Sequence, residues 1–152
     1  MEHEKITEKI IGCAYKVYNT IGFGFLESVY EKSLLIELRK EGLTAESQKR
    51  IQISYDNEVV GDFTADIVVE NKVIIEIKAI ERLTKAHEIQ LVNYLVATGI
   101  SVGLLINFGK TKVEIKRKVR QLTNWDWLDL QDKTNPDHPV ILSENITDKG
   151  WF

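Results

Sequence analysis

Between Ala65 and Lys78 the chain places Asp66, Glu70, Glu76 and Lys78 among Ile67, Val68, Val69, Val73, Ile74, Ile75 and Ile77, so charge interrupts two apolar runs of strand length. Runs this short and this rich in β-branched residues suit buried strands, and a buried strand does not carry charge without a reason. Successive side chains of a strand point to opposite faces, so Glu76 and Lys78 share a face with Ile74, while Val73, Ile75 and Ile77 take the other. If Asn71 and its neighbours form a tight turn, the strand holding Asp66 folds back antiparallel and brings a second carboxylate near Glu76. Two acids and a lysine then converge on one spot.

Two adjacent carboxylates repel unless a cation lies between them, and hard oxygen ligands suit magnesium or manganese. A lysine is no ligand in such a set. Its ammonium can orient or deprotonate a water, or neutralise charge growing on a phosphoryl group, and together these parts describe metal-assisted phosphodiester hydrolysis. The competing reading of the same pattern is a half-exposed strand whose Glu and Lys merely pair in solvent.

The rest of the chain supplies elements around this hairpin. Ile6, Ile10, Ala14, Val17 and Ile21 recur at helical spacing and predict an amphipathic helix ending near Gly22 to Gly24. A second helix is expected from about Phe25 to Lys40, stopped by Gly42, with Leu26, Val29, Tyr30, Leu34 and Leu38 as its apolar stripe. Ile51, Ile53 and Tyr55 alternate with polar residues as in a half-buried strand, and Asp56, Asn57 and Glu58 predict a turn into the strand that ends near Val69. Thr84 is a natural N-cap for a helix over 85–98 closed by Gly99. Along that helix His87, Gln90, Leu91 and Tyr94 share a face, so Gln90 and Tyr94 can point together toward the hairpin. Taken without further information, Tyr94 reads as ordinary core and Gln90 as its polar neighbour. Val102 to Phe108 is a continuous apolar run fit for a sheet interior, and the basic stretch after it predicts a further strand or an edge.

Gly24-Phe25-Leu26-Glu27-Ser28-Val29-Tyr30, then Asp66 and Glu76-Ile77-Lys78, then His87 to Leu95, then Gly103 to Gly109 closely resemble the GxxExxY family of the PD-(D/E)XK nuclease superfamily. The resemblance runs in order from about Ile6 to about Arg120. It implies an α/β core, a central mixed β-sheet flanked by α-helices, with the metal site on the central hairpin. It also implies Glu27, Asp66 and Glu76 as metal-binding acids, with Lys78 as the catalytic lysine. Gln90 and Tyr94 resemble the superfamily's helix motif and would contribute to catalysis. Tyr18 and Thr64 depart from residues common in relatives, histidine and a polar residue such as arginine respectively, outside the acid-acid-lysine set. The implied cofactor is magnesium or manganese, the implied substrate a nucleic acid, DNA first of all, and a homodimer is a natural way to reach two strands.

Composition sets bounds. A chain of 152 residues with 43% hydrophobic content is long enough for one cored domain and argues against disorder. Cys13 is the only cysteine, which excludes an intramolecular disulfide and a cysteine-rich zinc site. No apolar run approaches a membrane span, and Met1 to Lys5 does not open a secretory signal, so a cytoplasmic protein without membrane contact is expected. The net charge of −3 runs against phosphate binding, but Lys110, Lys112, Lys116, Arg117, Lys118 and Arg120 stand against Glu114 alone. That stretch reads either as a phosphate-contacting surface or as an edge strand protected by lysines. Residues 1–120 are thus expected to form the nuclease-like domain, and 121–152, rich in Trp and Asp, an extension that packs on it or binds a protein partner. The rival to an enzyme is a non-catalytic nucleic-acid-binding or assembly subunit that keeps the fold.

Overall fold

The structure, a computed structural model, describes residues 1–120; the extension expected over 121–152 lies outside the described residues. Its elements are helix α1 (Glu4–Ile21), helix α2 (Glu27–Lys40), strands β1 (Ala45–Tyr55), β2 (Glu58–Val69) and β3 (Val73–Lys78), helix α3 (Lys85–Thr98), and strands β4 (Val102–Phe108) and β5 (Val113–Val119). The five strands form one sheet in the order β1-β2-β3-β4-β5. Only β3 and β4 run parallel, as their connection through α3 requires; every other neighbouring pair is antiparallel. The expected mixed sheet flanked by helices is present, with the basic stretch as its edge strand.

Two apolar cores sandwich the sheet. On one face α1 and α2 bury Ile10, Val17, Tyr30, Leu34 and Leu38 against Ile67, Ile75, Ile77, Leu104 and Ile106. On the other, α3 sets Leu91, Tyr94 and Leu95 against Ala65, Val68, Ile74 and Leu105. Strand β3 is covered from both sides, which is why its sequence is almost unbroken Val and Ile. Gly103 lets α3 approach: a Cβ there would stand 2.8 Å from Leu91 Cδ1. Both tight turns use left-handed residues, Asp56 and Asn57 between β1 and β2, Glu70 and Asn71 between β2 and β3. In the second, Lys72 donates its N–H to the Val69 carbonyl at 2.9 Å, so the hairpin closes at Asn71 as the sequence predicts. Strand β1 begins at Ala45, well before the alternating segment at Ile51, because its polar first half also pairs with β2.

Candidate metal and catalytic centre

The β2–β3 ladder starts at the turn with Val69 opposite Val73 and stops at Ile67 opposite Ile75. One residue further on, side chains replace the backbone partners. Ile77 N–H donates to Asp66 Oδ2 at 2.7 Å, and Asp66 N–H donates to Glu76 Oε1 at 3.3 Å. Each carboxylate thus satisfies a backbone donor that the ladder leaves free, and each keeps one oxygen uncommitted by these bonds. Reciprocal bonding of this kind fixes the two acids against each other.

Asp66 owes its position to a kink that crosses both strands. Ala45, Ile67 and Val69 face α1 and α2, whereas Ile51, Phe63 and Ala65 pack on the α3 side, although all six are odd-numbered. An unbroken pleat would keep odd residues of a strand on one face. The faces switch at Gln48 and Asp66, flanked by the pairs Ser47–Ile67 and Lys49–Ala65, and Gln48 adopts φ 53°. A left-handed non-glycine residue costs about 1 kcal/mol. What that distortion builds is visible in Gln48 itself, whose Nε2 donates to Glu31 Oε1 at 2.6 Å, while the Ser47 hydroxyl donates to Glu31 Oε2 at 3.5 Å.

Glu31 is the acid that α2 brings to this region. Only 9% exposed, it has its pKa raised by burial and then by the Asp66 charge, against the pull of the Gln48 and Ser47 hydrogen bonds. Glu76 is displaced further: burial first, then the neighbouring Asp66 charge, carries its pKa to about 8, with Lys78 opposing. From the other face Tyr94 approaches, buried and stacked on Phe63 with ring centroids 4.1 Å apart. Its hydroxyl is held in the protonated form by burial and then by the Glu76 and Asp66 charges. Asp66 therefore lies between an acid of α2 and a phenol of α3.

The sequence-predicted residues divide accordingly. Asp66, Glu76, Lys78 and Tyr94 come together around the open end of the hairpin, Lys78 half-buried at the end of β3. Glu27 stands exposed as the first residue of α2, where a carboxylate suits the helix dipole; Glu31, one turn on, occupies the place by Asp66. Gln90 is exposed on α3, one turn before Tyr94. His87 caps α3, its Nδ1 accepting the Thr84 N–H at 3.0 Å. The basic stretch is split by the alternation of β5. Arg117 donates to the Glu2 carbonyl near the start of α1, Lys118 pairs with Glu88 of α3, and Arg120 donates to the Gly99 carbonyl. Lys110, Lys112 and Lys116 are exposed.

Two contributors escaped the sequence reading. Glu31 is one. The other is Asn107, fully buried within β4 beside Lys78. Its side chain accepts the Ile80 N–H and donates to the Ile80 carbonyl, both at 2.9 Å, and also reaches Glu114 at 3.2 Å. This amide clamps the chain just beyond Lys78 and so holds the lysine's strand end in place.

The donor set at the hairpin suits a hard divalent cation. Asp66 and Glu76 offer carboxylate oxygens, and a cation would offset the burial and then the Asp66 repulsion that keep Glu76 protonated near neutral pH. Among the described residues no three His, Cys, Asp or Glu side chains close on one point. Asp66 and Glu76 would be the residues to hold such a cation.

The family profile of the PD-(D/E)XK nuclease superfamily matches residues 4–118. The chain belongs to that superfamily. No curated protein matches it in sequence. Among solved structures, the crystal structure of SSO0001 aligns with a TM-score of 0.51 at 19% identity, over 70% of this chain and 56% of that one. The likeness is one of fold, and the chain spans a little over half the length of that structure.

Proposed function

We propose that the protein is a metal-dependent nuclease that hydrolyses phosphodiester bonds, DNA being the leading substrate, and that it is of the GxxExxY kind. The observation that carries this reading is the pair Asp66 and Glu76, locked by reciprocal carboxylate-to-backbone bonds, with Lys78 two residues beyond. Superfamily membership supports it. Asp66 and Glu76 would hold magnesium or manganese. When bound, that ion supplies Lewis-acid stabilisation of phosphoryl charge and acidifies a water.

The protein's own groups do the remainder. Lys78 places an ammonium beside the scissile phosphate, where it orients the attacking water and offsets negative charge in the transition state. Glu31, with its pKa raised, is placed to take or relay a proton from water near Asp66. Tyr94 keeps its hydroxyl proton beside the two acids and can donate to a phosphate oxygen. Asn107 is a positioning residue, acting through Ile80 on the end of the lysine strand. Lys110, Lys112 and Lys116 offer exposed cations to the flanking backbone.

The test is a cleavage panel of single-stranded, duplex and branched DNA and RNA, each with magnesium, manganese or chelator. Cleavage of at least one substrate that chelator abolishes supports the reading. Binding without cleavage under every condition would instead identify a nucleic-acid-binding subunit on a nuclease fold.

A further inference from the structure

Beyond the end of β3 lies a pocket of about 480 Å³ whose lining includes Phe23, Phe25, Leu26, Ile80, Phe108 and Lys110, within the roughly 300–1,000 Å³ span of ligand sites. The loop joining α1 to α2 forms one wall, and it displays large apolar side chains to solvent: Phe23 is 57% exposed, Phe25 46% and Leu26 77%. Consecutive apolar exposure on one short loop marks a binding surface.

This loop is built to hold its shape. Tyr30 is fully buried and stacks on Phe108 with centroids 4.4 Å apart. Its hydroxyl donates to the Gly22 carbonyl at 2.6 Å and accepts the Phe25 N–H at 3.5 Å, spanning the loop from inside. Gly24, at φ 99°, makes a turn that a side chain would strain. Phe25 meets the Tyr30 ring edge-on at 6.2 Å. The glycine and the tyrosine of the Gly24 to Tyr30 segment thus shape an aromatic wall, while its glutamate starts the helix. The opposite wall starts one residue after Lys78 and includes Ala79 and Ile80, the latter gripped by Asn107.

We propose that this pocket receives an unstacked nucleobase of the strand whose backbone lies at Asp66, Glu76 and Lys78, and that it directs the protein to single-stranded or frayed nucleic acid. The proposal rests on the nuclease reading and adds the substrate's structure to it. Exposed aromatic faces stack on bases of any identity, and a cation beside them serves the attached phosphate. Lys110 provides the cation, and Glu81, the other charged lining residue, can accept from an exocyclic amino group. A bare apolar partner would need neither charge. Continuity of the pocket wall with the lysine strand also places the base next to its own phosphodiester.

The experiment uses oligonucleotides carrying 2-aminopurine in an unpaired end, and matching blunt duplexes, with calcium as the divalent ion. The unmodified protein should quench the 2-aminopurine on binding and prefer the frayed substrate to the blunt one. Phe23→Ala should lose the quench and weaken frayed-end binding about ten- to a hundredfold while leaving blunt-duplex affinity unchanged. Phe25→Leu, which keeps apolar bulk against Tyr30 but has no ring, should behave alike and melt like the unmodified protein. Quenching and preference that survive both substitutions would overturn the proposal, as would equal binding of frayed and blunt ends. Quenching without cleavage under any metal would sink only the nuclease reading; cleavage with no quenching would sink only the pocket.

Discussion

Replacing Glu76 with glutamine should stabilise the metal-free protein even as it removes a proposed metal ligand. In the fold the Glu76 carboxyl titrates at about 8, against 4.5 for the ordinary group. Between those values the unfolded chain releases the proton and the folded protein keeps it, so stability falls as pH rises through that window. At 1.36 kcal/mol per unit, the loss by pH 7 is about 3 kcal/mol, and at pH 5 it is below about 1 kcal/mol. Glutamine does not titrate, yet its amide oxygen can still accept the Asp66 N–H. The variant should therefore exceed the parent by about 3 kcal/mol at pH 7 and by little at pH 5. With an m-value of about 1–3 kcal/mol/M, urea unfolding in chelator should show a midpoint shift of about 1–3 M at pH 7. Groups remote from Glu76 titrate equally in both proteins and cancel in the comparison. A stability difference that is the same at both pH values, or a parent that gains on the variant as pH rises, would refute the burial and charge coupling assigned to Glu76.

Further outcomes follow from the same geometry. Magnesium or manganese should raise the melting temperature of the unmodified protein, more at pH 8 than at pH 6 because binding must displace the Glu76 proton; calorimetry in buffers of different ionisation enthalpy should register proton release, and Asp66→Asn should lose the response. Glu31→Gln should reduce turnover more than Glu27→Gln, because Glu31 lies by Asp66 while Glu27 is exposed at the helix start; equal effects in a steady-state assay would remove Glu31 from the centre. Lys116→Gln should lower the salt dependence of nucleic-acid affinity by about one ion, whereas Lys118→Gln should chiefly free Glu88 and alter stability; identical salt slopes for the two would contradict the contrast between an exposed Lys116 and a Lys118 held by Glu88.

Much of the centre was legible because strand alternation and turn chemistry are local. Asn71 could be read as a turn former, and from the turn the approach of Asp66 to Glu76 follows by counting. The Glu31 contribution was not readable in that way. It depends on Gln48 adopting φ 53° and on the switch of faces at Asp66, a tertiary distortion that no propensity encodes. A weaker signal did exist: Glu31 lies on the buried side of α2 with Leu34, Leu35 and Leu38, and an acid on an apolar stripe asks for a partner. Asn107 carried the same signal, as a lone amide inside the run from Val102 to Phe108. In the basic stretch, counting charges overlooked that alternate residues of β5 meet α1 and α3, where Arg117 and Lys118 find partners.

The central claim is that Lys78 acts in chemistry while Asp66 and Glu76 hold the metal. Single-turnover cleavage by Lys78→Ala, with magnesium affinity measured on the same preparation by calorimetry, addresses it most directly. The account predicts a cleavage rate reduced by about 10²–10⁴-fold, with magnesium affinity and substrate binding essentially retained. Cleavage at the parental rate by the alanine variant would contradict it.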